Sequence, residues 1–434
     1  MAAQDNTMST STNLLKAVFS SAIPKDAIQN AGPTFFTIPQ SPAGGSSFAW
    51  DLRDSYAQSR GNTMENAVAT ATTQDVLRFT LPSGDAAYPE LNFAGYFSNK
   101  LLASSMGAPN RYAFDNMMSI VNGSRTQHFM DMSAYLWGDG SGALGTVSAV
   151  DTGSTPQTVT LSLYTDTVKF FRNGTYVSST TKYSTEPTNT AVCTGIEVNF
   201  LTKVAKLQFE TVPSGIAADD FLFASGMYAT AIATGVPLGI PSYVVPEDTA
   251  VTTPFLGVTR SSNRNMTAGF SQNAANGSFS DNLTSLVYSM SMYGQQGRTI
   301  VMHDKIMQQL QLQQGGTIIR ETVDQSGLSL LGFDKWRATF MGAGTFDIIT
   351  DKFCPGDKAY IIDPNAFEIQ YLAMCDMNPT YWARGLGLNG GTVHPDIPLM
   401  VVPGTTRVVY QGYSYYQLIC NKPSSCGVLY NLVP

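Results

Sequence analysis

Three glycines, Gly140, Gly142 and Gly145, spell G-x-G-x-x-G within the stretch LWGDGSGALG at residues 136–145. That spacing lets a backbone wrap a pyrophosphate when a strand precedes it and a helix N-terminus follows to face the negative charge. Here the order is reversed. A helical pattern leads in, and a β-type run from Thr146 to Val150 leads out. No helix N-terminus then faces a phosphate. Gly138 or Gly140 fits the C-terminal cap of a helix, and Gly142 fits a left-handed turn into a sheet.

The other reactive side chains are equally unassembled. His128, His303 and His394 have no metal-ligand spacing with one another or with a cysteine. Each reads as a polar or capping residue. Asp347, Asp351, Asp357 and Asp363 form an acidic series without EF-hand spacing, and Asp351 and Asp357 bracket KFCPG, a turn composition. No G-x-S-x-G elbow presents a serine nucleophile. The five cysteines are odd in number and contain no C-x-x-C, which fits reduced thiols in a cytosolic setting; Cys420 and Cys426 are spaced to meet across a turn. Asn122, Asn173, Asn265, Asn276 and Asn282 head glycosylation-type triplets that carry no meaning without secretion. No catalytic, cofactor-binding or metal-ligating residue is assigned. An enzyme is not expected.

Composition points elsewhere. Only 13% of the 434 residues are charged, against about 25% in ordinary soluble domains. Interface centres are depleted in charge, so a surface that faces other protein copies is one explanation. A polar, glycine-rich β protein is the other. The net charge of −7 and the thin spread of Lys and Arg disfavour specific nucleic-acid recognition. The N-terminus lacks the basic and apolar regions of a secretion signal. An uncharged stretch from Phe221 to Pro246 is long enough to cross a bilayer, but three glycines and two prolines between Gly226 and Pro241 interrupt it. A buried strand followed by an irregular crossing is expected there, and no membrane.

The elements follow from periodicity. Residues 1–47 are rich in small polar residues and read as an arm that buries little, with SPAGGSS at 41–47 as a hinge. Residues 48–94 read as two strands, SFAWDLRD and DVLRFTLPS, around a flexible SRGNTMENAVATATT. Residues 95–137 read as helical, broken at Pro109, with Asn110 as a cap for a helix over about 110–137. Its stripe of Phe114, Met117, Met118, Val121, Arg125, His128, Met132 and Tyr135 is patchy. An antiparallel sheet of long strands should follow, with Asn173-Gly174 as a hairpin turn. From about 250 the pattern becomes α/β. One helix should be capped by Ser280 and carry Leu283, Leu286, Val287 and Met290 inward. RTIVM should be a buried strand. A second helix should be capped by Asp304 and ended by Gly315 and Gly316. Residues 345–363 read as strand, turn, strand, and the C-terminus ends in two more strands.

The order of these parts resembles the major capsid protein of tailed bacteriophages, the Hong Kong 97-like fold. FMDMSAYLWGDGSGALGTV resembles the end of that family's spine helix and its glycine exit. ADDFLFASG resembles a strand of its peripheral domain, and RTIVMHDKIMQQL the strand and helix of its axial domain. FDIITDKFCPGDKAYIIDPNAFEIQYL resembles its central hairpin.

The resemblance implies an α+β chain with an N-terminal arm (1–47), an extended loop (48–94), a peripheral domain (95–235) and an axial domain (236–434). Gly138, Gly140 and Gly142 would carry the chain out of the spine helix. It implies self-assembly as hexamers and pentamers into an icosahedral shell around packaged double-stranded DNA, with weak, non-specific DNA contact and no cofactor. Portal and, in some members, scaffolding or decoration proteins would be partners. The location would be the virion capsid, assembled in the host cytoplasm. Some members lock the shell with a Lys–Asn isopeptide bond from the extended loop. Residues 41–95 contain no lysine, so no such bond is expected from this loop. An encapsulin-like compartment, a β-rich phage tail or decoration protein, and an enzyme of unknown type stay open as alternatives.

Overall fold

The computed structural model describes residues 31–43, 49–53, 63–69, 76–81, 88–98, 111–183, 189–232, 234–246, 255–260, 264–294, 297–313, 336–340, 343–376, 399–401 and 407–432. The chain divides into two compact units. The first takes residues 1–31, 90–132 and 371–416, and the second takes 32–89, 133–370 and 417–434.

In the first unit the strand Glu90–Ser98 runs antiparallel to residues Arg407–Tyr415, and Leu399–Val401 pairs with Val408–Tyr410. The expectation of helix from residue 95 is therefore corrected. Leu91 and Phe93 are buried while Asn92 and Ala94 are exposed, the period of two that a strand imposes. The helix itself covers Arg111–Leu136. Its patchy stripe is not left open: Arg125, His128 and Met132 are all buried. His128 Nε2 and Ser414 Oγ are hydrogen-bonded at 2.8 Å, and the Phe93 ring lies 4.8 Å from the imidazole. Gly412 leaves room for Phe93, because a Cβ there would enter the ring.

Two titratable groups one helical turn apart are pushed in opposite senses. Burial, aided by the Arg125 charge, lowers His128 to about 4. Burial raises Asp131 to about 7 against a hydrogen bond from Gln127 at 3.1 Å. The folded state thus keeps the imidazole neutral and the carboxyl protonated where the unfolded chain does the reverse.

The second unit holds two β systems. Six strands close into a barrel in the order Phe221–Ala224, Ala143–Asp151, Gln157–Leu161, Val204–Phe209, Thr190–Asn199, Thr175–Ser179 and back to the first. Closure replaces the expected open sheet and removes its edges. Val147, Val159, Leu207, Phe209 and Leu222 fill the barrel. The other system is a six-stranded sheet ordered Phe270–Asn273, Gly427–Tyr430, Ala359–Ile362, Thr299–Met302, Gly344–Thr350, Trp336–Phe340. Residues 345–363 are strand, turn, strand, but not a hairpin. Thr299–Met302 inserts between the two, parallel to one and antiparallel to the other. Its four residues are all buried, as an interior strand of a covered sheet requires. Leu283, Leu286, Val287 and Met290 of the helix Phe279–Met292 pack on this sheet with Ile300, Ile348 and Ile361.

Several helix and arm expectations are corrected at this resolution of detail. Ser278, not Ser280, caps the helix Phe279–Met292, accepting from the Asp281 amide at 3.1 Å. His303, not Asp304, caps Asp304–Gln313, its Nδ1 accepting from the Lys305 amide at 3.1 Å. Gly315 and Gly316 lie outside the described residues, as does His394. The arm is not unburied throughout: Pro33–Thr37 is a short helix, and Phe35 and Ile38 are core. The Gly32 amide donates to Ser133 Oγ at 3.0 Å. The stretch from Phe221 is a strand to Ala224, then an irregular run with Val236 and Leu238 buried, then the turn of helix Ile240–Tyr243. Among the described residues no helix is long and apolar enough to cross a membrane.

The opposed shifts give a pH prediction. Neutral His128 adds stability that is complete above pH 6.5 and declines as pH falls toward 4, by roughly 3 kcal/mol at most. Protonated Asp131 adds stability that is complete below about pH 4 and is lost as pH rises through 7. Between pH 4 and 6.5 the two slopes cancel. In urea titrations, His128→Gln should become more stable than wild type shows as pH is lowered through this window, and Asp131→Asn less. Parallel pH profiles for all three proteins would contradict the assignment.

Candidate structural site at the helix exit

Among the described residues, no group of three or more His, Cys, Asp or Glu side chains converges to hold a metal ion. The acidic series is spread out. Asp351 is fully buried, with its carboxylate against Gly32 and accepting from the Phe353 amide at 3.0 Å. Asp363 caps the 3-10 turn Pro364–Ala366 through the Asn365 amide. The most organised constellation is where the helix Arg111–Leu136 ends.

The last turn tightens there: the Trp137 and Gly138 amides bond three residues back, to the carbonyls of Ala134 and Tyr135. Gly138 itself is not left-handed. Gly140 and Gly142 are, at φ +82° and +88°. Each is also sterically closed. A Cβ on Gly140 would meet Leu238 Cδ2 at 2.6 Å, and one on Gly142 would collide with the Met227 carbonyl oxygen. Gly239 completes the arrangement, since a Cβ on it would strike the carbonyls of Tyr135, Leu136 and Gly138. This glycine, 101 positions or so after the helix end, carries no local motif; only the fold brings it there. Gly145 lies within the strand Ala143–Asp151, against the Phe170 ring.

A polar lattice fixes the turn. Asp139 Oδ1 accepts from the Ser141 amide at 3.1 Å and from its hydroxyl at 2.5 Å. Ser141 Oγ accepts from the Ala143 amide at 3.2 Å, and the Ser141 carbonyl accepts from the Ala229 amide at 3.0 Å. Lys182 Nζ pairs with Asp139 Oδ2 at 2.6 Å. Burial opposes the Asp139 charge, but Lys182 and the Ser141 donors outweigh it and hold the carboxyl below its ordinary value. The amides that a dinucleotide loop would turn toward phosphate are thus spent on Asp139 and Ser141. A carboxylate also occupies the place where an anion would have to sit. The G-x-G-x-x-G spacing turns a corner.

Asn173 and Gly174 also turn the chain, with Asn173 at φ +67°. They do not join two strands of a hairpin. Tyr164–Lys169 winds into a 3-10 helix, and Phe170 packs 5.1 Å from Tyr176. Tertiary burial of Phe170 and Tyr164 overrides the local hairpin signal. The strand Thr175–Ser179 finds its partners in Thr190–Asn199 and Phe221–Ala224 instead.

One further feature escaped sequence reading. Met64–Ala69 is a short helix between the paired strands Ala49–Arg53 and Val76–Thr80, where flexible chain is expected. The base of this excursion is anchored: Trp50 Nε1 donates to the Cys420 carbonyl at 2.9 Å, and Phe79 is fully buried beside the Trp50 ring. Its tip is bare. Met64 and Val68, four apart and so on one face, are 85% and 72% exposed. The i, i+4 apolar pair in NTMENAVA was the available signal.

The geometry yields a paired prediction. Gly142→Ala should cost roughly 3 kcal/mol or prevent folding, through left-handed strain and a backbone collision. Gly123→Ala, where a Cβ meets nothing within 4 Å in mid-helix, should stabilise by about 1 kcal/mol. Equal effects of the two in thermal unfolding would refute the reading of the exit.

No protein-family model matches the chain, and no curated protein matches it. Solved structures do. A chain of the cyanophage A-1(L) capsid asymmetric unit is 10% identical at a TM-score of 0.50, over 93% of each chain. A chain of the capsid of a native GTA particle is 10% identical over 94% of this chain and 91% of that one, at 0.41. The SrpI encapsulin from Synechococcus elongatus PCC 7942 is 9% identical over 92% and 88%, at 0.38. Below 0.5 the last two likenesses carry no weight. The first spans nearly both whole chains, and it agrees with the element order that the sequence resemblance rests on: the chain has the Hong Kong 97-like, α+β capsid fold.

Proposed function

We propose that this chain is a structural shell subunit, the major capsid protein of a tailed phage, and that copies of it build a closed container. The observation that carries the reading is the cyanophage capsid likeness over 93% of the chain. Two features of the molecule support it. Its charged fraction is 13%, about half the ordinary value. Its anchored two-stranded excursion ends in an apolar pair that the chain itself leaves uncovered.

In this reading residues 48–94 are the extended loop, and Met64 and Val68 are its contact with a sister copy. Residues 95–235 and 236–434 act as peripheral and axial domains. Residues 1–47 start as an arm and are docked from about Gly32 onward. Hexamers and pentamers tile an icosahedral head, and many weak interfaces hold it. The head encloses double-stranded DNA with weak, non-specific contact, because few Lys and Arg are available to neutralise phosphate. Portal and possible scaffolding or decoration proteins complete the particle, which forms in the host cytoplasm. The chain performs no catalysis and needs no cofactor.

The test is negative-stain microscopy of the expressed chain beside Met64→Glu/Val68→Glu. Wild type should give closed shells, and the variant a folded protomer of unchanged thermal stability that does not close them. Shells from the variant would overturn the loop assignment, and a lone wild-type monomer at high concentration would overturn the function. Nucleic acid inside shells made during infection supports the phage reading, whereas a protein cargo turns it into an encapsulin-like compartment. Particles on a denaturing gel should run as single subunits, since the loop offers no lysine for an isopeptide bond. A ladder traced by peptide mapping to residues 41–95 would contradict this.

A further inference from the structure

Cys420 ends one strand and Cys426 immediately precedes the next, on either side of the 3-10 turn Pro423–Ser425. Both are fully buried. Their thiols hydrogen-bond to each other. The main chain holds them in that position. The Cys420 carbonyl accepts from Trp50 Nε1 at 2.9 Å, and the Cys426 carbonyl accepts from the Phe270 amide at 3.0 Å. Inside the turn, the Cys426 amide donates to the Pro423 carbonyl at 2.9 Å and the Ser425 amide to that of Lys422 at 3.1 Å.

The two sulfurs are not equivalent. Burial pushes both thiols up, but at Cys426 donors from Cys420, the Asp363 backbone and the Ser425 hydroxyl, 3.9 Å away, outweigh it and favour a thiolate. At Cys420 burial and the neighbouring sulfur act in the same direction and keep the proton on. One thiol is set to attack and the other to resolve, the asymmetry that redox-active pairs use. The remaining described cysteines differ: Cys193 and Cys354 direct their sulfurs to the backbone carbonyls of Gly195 and Lys358.

We propose that Cys420 and Cys426 form a redox pair that a peroxide closes into an intramolecular disulfide. The Cys426 thiolate attacks one peroxide oxygen; the S–O bond forms, the O–O bond breaks, and hydroxide leaves and takes up a proton as water. Cys420 then loses its proton and attacks the resulting sulfenic sulfur. The S–S bond forms, the S–O bond breaks, and the second oxygen leaves as water. Two thiols give up two electrons and one hydrogen peroxide is reduced to two waters. Burial selects a small oxidant of this kind over a bulky disulfide. The bond closes the turn that leads into Gly427–Tyr430, an interior strand of the six-stranded sheet. None of this depends on the shell reading.

The test uses the full-length protein exposed to hydrogen peroxide, then denatured, alkylated with iodoacetamide and digested with trypsin. Lys422 precedes Pro423, so both cysteines stay on the single peptide Val408–Pro434. That peptide should lose both alkyl groups and run about 2 Da below its free-thiol mass, and dithiothreitol before alkylation should restore both labels. In Cys426→Ala, Cys420 should keep its label under the same exposure. Full labelling of both thiols in wild type, or sulfinic acid at Cys426 beside a labelled Cys420, would overturn the pair. Equal loss of label from Cys420 in the variant would overturn the assigned order of attack.

Discussion

Backbone packs directly on backbone where the long helix ends, and the second unit is built around that approach. Gly239 sits on the carbonyls of the last helical turn, and Gly142 sits on the Met227 carbonyl. Any side chain at either place would hold the segments apart. The strand Ala143–Asp151, which begins one residue after Gly142, then pairs with both Phe221–Ala224 and Gln157–Leu161 to start the barrel. The Asp139–Ser141 lattice supplies the hydrogen bonds that a tight, partly buried turn must have. A corner of this kind gives the helix a fixed direction relative to the strands that follow, which a rigid building block requires.

The surface obeys a different constraint. With so few charges, the chain has little with which to keep apolar side chains out of water-facing contacts. Met64, Val68, Leu201 and Met292 are all strongly exposed, and each lies at a tip or an element end. At the β-turn carrying Leu201, Asn199 Oδ1 accepts from the Leu201 and Thr202 amides at 3.0 and 3.1 Å. That side chain is therefore presented by an ordered turn rather than by loose chain. Apolar groups on ordered protrusions suit contacts between copies better than they suit a solitary soluble protein.

Much of this was legible in the sequence because local and tertiary demands coincide. The apolar run of Thr299–Met302 and the stripe Leu283, Leu286, Val287, Met290 encode their burial directly. The glycine exit was legible from the order of its flanking elements. Other features were not, for physical reasons. Ser278 and Ser280 are chemically equal caps, and the choice between them rests on where the backbone turns. His303 can cap only because its ring is held at the helix start with an acceptor nitrogen free. Asn173-Gly174 keeps its turn geometry but loses its hairpin, since burial of Phe170 takes precedence over strand pairing. The alternation in ELNFAGYFS was available and points to the strand that forms. Gly239 and barrel closure are non-local, and a single chain read in order carries no mark of either.

The central claim is that sister copies complete this molecule's surface. Cryo-electron microscopy of particles assembled from the full chain tests it most directly. The account predicts closed shells in which Met64 and Val68 of every subunit lie buried against a neighbouring copy. Shells in which those side chains stay in solvent, or a chain that remains monomeric at every concentration reached, would contradict it.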